Sequence, residues 1–325
     1  MDTRDQFRSL AAQRGFTAEE IEGWLREARV HTELSSGPPE GAIPGPGIVA
    51  GRVGGLPRLP VGSEWPRGCA PYYETPLTSG GRLIREAADR AWPIPFFCSV
   101  DCAALPSETD LPFPAGGTLL FFVEQDYLDP IGRVVYVPEG VETVEQSPPE
   151  PEPEPEPEDD EDMVILPEQD LYAFVTYSWP PWLLSSPEDG TDLEPEEKAF
   201  HARVPRAGEI SGVAAEIWRE PPFGWTTVKL GSHHYAPQGY PEHKIAEEQI
   251  REEYRAASRE DALQDEEAIR ELARERGEQL ALAKEWVTLG VFEIPDNESF
   301  YASFLIHRDD LAACRFDDVR FFVEH

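Results

Sequence analysis

FFCSVDCAALPSETDLPFPAGGTLLFFVE, residues 96–124, decides the fold class. Two short runs rich in aromatic and β-branched residues, FFCSV and GTLLFFVE, flank a middle broken by Pro106, Pro112, Pro114 and the pair Gly116-Gly117. Such runs, closed off by turn residues, read as antiparallel strands. The texture continues outward from there. RVVYVP (133–138), LYAFVTYSW (171–179), WTTVKL (225–230), WVTLGVFEI (286–294), FYASFLI (300–306) and VRFFVEH (319–325) repeat it, with Asp129-Pro130 as a further turn. Strands and helices do not alternate strictly, so the expected fold is α+β with mostly antiparallel sheets and not a doubly wound one.

Ahead of these strands, FTAEEIEGWLREARV opens a helix. Thr17 can cap it, Glu20 completes a capping box and Phe16 can pack on Ile21. Ile21, Trp24, Leu25 and Ala28 share one helical face, which should dock on the body, and residues 1–35 are expected to be an N-terminal helical segment. Residues 36–51 form a Pro/Gly connector, and 36–325 the α+β domain. Within the connector, GPGIVA (Gly45–Ala50) mimics a dinucleotide fingerprint, which needs a strand before it and a helix after it. Prolines precede it and Pro46 sits inside it, so the fingerprint is rejected.

Two insertions stand out. Residues 147–162, SPPEPEPEPEPEDDED, hold nine acids and no base, the composition of a solvated, disordered, polyproline-like segment. Residues 242–285 set acidic and basic side chains three or four apart over a thin apolar stripe that includes Ile245, Ile250, Ile269 and Leu272. That pattern predicts a charged helix, or two with a break near Gly277, laid across the surface.

The 325 residues carry 63 acids against 28 bases, a formal charge of −35. A field of that sign repels nucleic-acid phosphates and anionic bilayers, so neither is an expected partner. MDTRDQFRSL contains no apolar signal core, and no apolar run approaches the ~18 residues of a membrane span. A cytoplasmic location is expected. The four cysteines are too scattered for a disulfide framework and are expected to be reduced.

VGGLPRLPVGSEWP, residues 53–66, sets three prolines and three glycines around one tryptophan. Paired glycines permit positive φ, prolines fix an extended path, and Trp65 can cover apolar area while its N–H finds a partner. This predicts an ordered loop over the sheet, with a binding lip as the sharper reading. Gly54, Gly55, Pro57, Pro60, Trp65 and Pro66, followed by PIPFFCSVDCAALP and LPFPAGGTLLFFVE, resemble the signature of the YwqG-like family of bacterial proteins, a family of unknown function. KLGSHHYAPQGYP, with its matching Gln238, and the terminal SFLIHRDDLAACRFDDVRFFVEH are similar to later family segments. Ser99 and Ser232 depart from the family pattern, and so does PDNES. The resemblance implies an α+β fold in two loosely similar halves.

No catalytic or cofactor-binding motif is present, so no catalytic residue, metal or cofactor is assigned. His233 and His234, with His243 and Glu247 nearby, form the best local cluster, but they lack an H-E-x-x-H spacing and read as a polar turn in preference to a metal site. Cys98 and Cys102 do not have redox spacing, and Cys98 fits a strand core. Asp101 can act as a base or cap the following CAAL turn. Trp179 and Trp182, in YSWPPWLL, suit a core edge or a contact patch.

The leading reading is a non-enzymatic interaction protein whose acidic surface meets a basic protein partner, with Trp65, Trp179 and Trp182 as anchors. An immunity protein against a cationic toxin is one concrete form. The rival readings are a ligand-binding protein or enzyme, with Asp101, His233, His234 and Gln238 lining a pocket beneath the Gly-Gly loop, and an adaptor working through the charged helix.

Overall fold

The computed structural model describes residues 3–36, 48–68, 92–107, 111–124, 131–149, 166–179, 195–217, 227–233, 241–257, 266–283, 285–293 and 301–324. The expected α+β architecture is what it shows. Ten strands form one antiparallel sheet: β1 (Arg29–Ser35), β2 (Ile48–Val53), β6 (Phe96–Asp101), β7 (Thr118–Glu124), β8 (Ile131–Val137), β10 (Gln169–Ser178), β11 (Thr227–Leu230), β12 (Trp286–Glu293), β13 (Tyr301–His307) and β14 (Arg320–Glu324). Their order is β14-β13-β12-β11-β1-β10-β2-β6-β7-β8. The two halves are visible in it as meanders, β2-β6-β7-β8 and β11-β12-β13-β14, joined through β1 and β10. Each meander takes its inner neighbour from the other part of the chain: β1 lies beside β11, and β10 beside β2.

The sheet curls almost into a barrel. β7 and β12 are six places apart in the strand order, which at about 4.8 Å per strand would put them roughly 29 Å apart in a flat sheet. Yet the Phe121 and Phe292 rings meet at 5.0 Å, and Phe121 meets Phe304 of β13 at 5.3 Å. The edges approach too: Gly132 of β8 has no room for a Cβ because Phe321 of β14 lies against it. Phenylalanines from both halves thus fill a single interior, with Leu34, Val100, Leu119, Val228 and Leu230 around them.

Outside β6–β8, a second apolar layer covers Phe96, Leu120 and Phe122. It is supplied by the ribbon of β3 (Arg58–Pro60) and β9 (Thr143–Glu145) and by the short pair β4 (Arg67–Gly68) and β5 (Trp92–Pro93). A third cluster is helical. α1 (Thr3–Gln13), α2 (Ala18–Leu25), α3 (Pro195–Arg203) and α4 (Ala207–Ile217) bury Phe7, Trp24, Phe200, Val204, Ile210 and Val213 against one another. The remaining described helices are α5 (Pro241–Ala256), α6 (Glu266–Ala283) and the short α7 (Arg308–Ala312).

Two expectations need correction. The N-terminal segment is helical only to Leu25; Arg29–Ser35 is a strand at the centre of the sheet, because Val30, Thr32 and Leu34 alternate and pairing partners exist on both sides. The charged insertion is two helices, but Gly277 lies inside α6, and the break falls between α5 and α6. Ala246, Ile250, Ile269 and Ala273 close the two helices on each other, which tolerates one glycine. The last three residues of GPGIVA already belong to β2, which continues to Val53 where the fingerprint would need a helix, in keeping with its rejection. The Pro/Glu insertion from residue 150 to 162 lies outside the described residues.

Candidate functional site

The Gly-Gly…Trp-Pro stretch is an ordered cover on the sheet. Gly54 and Gly55 both have φ of +69°, a left-handed backbone that other L residues resist. Gly54 N–H donates to Phe97 O at 2.8 Å and Gly55 N–H to Leu166 O at 2.9 Å, so the turn is bonded on two sides. A Cβ at Gly54 would collide with the carbonyls of Leu166 and Pro167. Gly54 thus sits directly against the backbone of residues 166–167.

Trp65 pins the cover. It is 7 % exposed, its Nε1–H donates to Ile94 O at 2.9 Å, and its ring meets the Phe122 ring edge-on at 5.6 Å. Removing so large a buried side chain costs about 3–5 kcal/mol. As a partner anchor Trp65 is therefore corrected: its indole is spent inside. Trp179 is also drawn inward, its ring 4.4 Å from that of Trp24 at the edge of the helical cluster. Trp182 lies outside the described residues.

Asp101 is exposed at the end of β6, where its Oδ1 accepts from Ala103 N–H at 3.0 Å and caps the turn Cys102–Ala104. Cys98 and Cys102 are buried free thiols. Burial pushes both up, Cys102 to about 12 with a smaller contribution from the Asp101 charge, so neither is an activated nucleophile. His233 is half-buried: its backbone N–H donates to Ser178 Oγ at 2.8 Å, and its Nε2 lies 2.9 Å from Glu27 O. It ties the end of β11 to the exit of α2. His234, Gln238 and the side chain of His243 lie outside the described residues. Among the described residues no group of three or more His, Cys, Asp or Glu side chains could hold a metal ion.

Among the described candidates, Trp179 and His233 lie at the same end of β10, where His233 N–H is bonded to Ser178, the residue before Trp179. A residue not anticipated joins them: His31 of β1, 2 % exposed, whose imidazole is pushed down to about 3 by burial first and then by the nearby Lys229 and His233 charges. Its Nε2 is 4.0 Å from Glu33 Oε2, beyond hydrogen-bonding distance. A histidine on an alternating run was the available signal, hidden by reading residues 29–35 as a helix tail. Open cavities lie elsewhere among the described residues. One of about 340 Å³ sits between α5 and α6 against Ile250, Tyr254 and Leu272. Another, of about 330 Å³, sits against Arg4, Arg8 and Leu25.

Fold and surface together define an α+β protein built on one curled antiparallel sheet, with its covering turns tied down by structural contacts. The chain belongs to the family described as a domain of unknown function (DUF1963), whose model matches residues 51–324. No curated protein matches it. No helix among the described residues is long and apolar enough to cross a membrane.

Proposed function

We propose that this chain is a bacterial YwqG-like protein of the cytoplasm that works without catalysis, offering an acidic surface to a basic protein partner. An immunity protein that masks a cationic toxin is one concrete form. The formal charge of −35 carries the reading, since a field of that size speeds encounter with a positive partner and rejects negative ones. The internal duties of Asp101, His233, Cys98 and Cys102 are compatible with it. Trp65 and Trp179 do not serve as anchors in this version; exposed carboxylates make the attachment.

Capture on the immobilised full chain at low ionic strength, followed by mass spectrometry, should recover a protein of high isoelectric point that elutes as salt is raised. A partner indifferent to salt, or an acidic one, would overturn the proposal.

A further inference from the structure

Resting on that reading, we infer that the ribbon of β3 and β9 is the docking surface, and that it takes a basic segment in which lysine or arginine alternates with apolar side chains. Val61 is 58 % exposed, Val141 42 % and Val144 44 %. Single exposed valines are ordinary on a protein surface, whereas a group of them inside a polar rim marks a contact site. These three are neighbours. Leu59 stands opposite Val144 in the ribbon, and Val61 N–H donates to Glu142 O at 3.0 Å, beside Val141.

Charge chooses the occupant. Glu64, Glu139, Glu142 and Glu145 are all exposed, each within three residues of one of the valines in the chain. The arginine of the ribbon, Arg58, is turned back on it, donating to Thr143 Oγ1 at 3.3 Å and Thr143 O at 3.2 Å. A second copy would set glutamates against glutamates, which disfavours self-association. A purely ionic partner would leave the valines wet. A segment with both cations and apolar side chains satisfies both features, and the Leu59 and Trp65 packing beneath holds the ribbon firm before binding.

Two labelled peptides serve as probes for the full chain, one alternating lysine with leucine and one alternating lysine with serine. The expected result is tighter binding of the lysine/leucine peptide. Val61→Ser combined with Val144→Ser should weaken that peptide by about tenfold and leave the lysine/serine peptide unchanged. Glu142→Gln with Glu145→Gln, which leaves the apolar packing intact, should weaken both. If the valine variant binds the lysine/leucine peptide as the native chain does, the docking surface is wrong while the basic-partner reading stands. If neither peptide binds in a salt-sensitive way, the basic-partner reading itself fails. Peptide-free dimerisation abolished by the valine changes would assign the surface to a second copy and overturn the proposal.

Discussion

His31 shows how one side chain can set a pH dependence for the whole fold. It is held neutral, its affinity for a proton lowered from the usual 6.5 to about 3, chiefly by burial. Between those values the unfolded chain takes up a proton that the folded one refuses. The contribution to stability is therefore complete above about pH 6.5, declines as pH falls toward 3, and changes no further below that. Urea unfolding at pH 7 and pH 4 should show a larger drop for the native chain than for His31→Leu; equal drops would remove His31 from the account. Other residues were legible from their chemistry alone. Trp65 was expected to hold a loop over the sheet through its N–H, and Asp101 had capping as one of its two readings. His31 was not, because its meaning depends on strands that arrive long after it in the chain.

Among elements, α2 was read most completely. Thr17 accepts from Glu20 N–H at 3.2 Å, and Glu20 Oε2 accepts from Thr17 N–H at 2.8 Å, so the expected capping box is present. The sequence does not reveal that Arg206 closes the same carboxylate from the turn before α4, with Nε and Nη2 at 2.8 Å from its two oxygens, while stacking 4.3 Å over Phe16. Arg206 first, and Thr17 second, hold Glu20 down to about 2. This support is present above the usual carboxylate value of 4.5 and is lost as pH falls toward 2. Thr17→Ala should cost about 1 kcal/mol in chemical denaturation, and Glu20→Gln should flatten the acid limb between those two pH values. A Thr17→Ala chain as stable as the native one would separate the cap from the docking. α3 and α4 were not anticipated, although Phe200, Val204, Ala207 and Ile210 recur at helical spacing. Their apolar face is meaningful only once Phe7 and Trp24, nearly two hundred residues earlier, are known to lie against it.

At the scale of the molecule, local patterning announced most of the strands, but not their order. Composition can indicate an antiparallel sheet; it cannot say that β1 lies between β10 and β11, since that arrangement is a property of pairing over long sequence separations. The family match begins at residue 51, after β1 has ended. A fragment started there would leave a slot about 10 Å wide between β10 and β11, both lips carrying bare amides and carbonyls. Residues 51–324 expressed alone, which also lack α1, α2 and the first residues of β2, should precipitate, and adding a synthetic peptide of residues 1–50 should restore solubility and cooperative melting; a fragment that melts cooperatively without it would contradict this. The strand that completes the sheet can then be delivered in trans, which makes the middle of this fold, and not its rim, the place where a foreign donor strand could lodge.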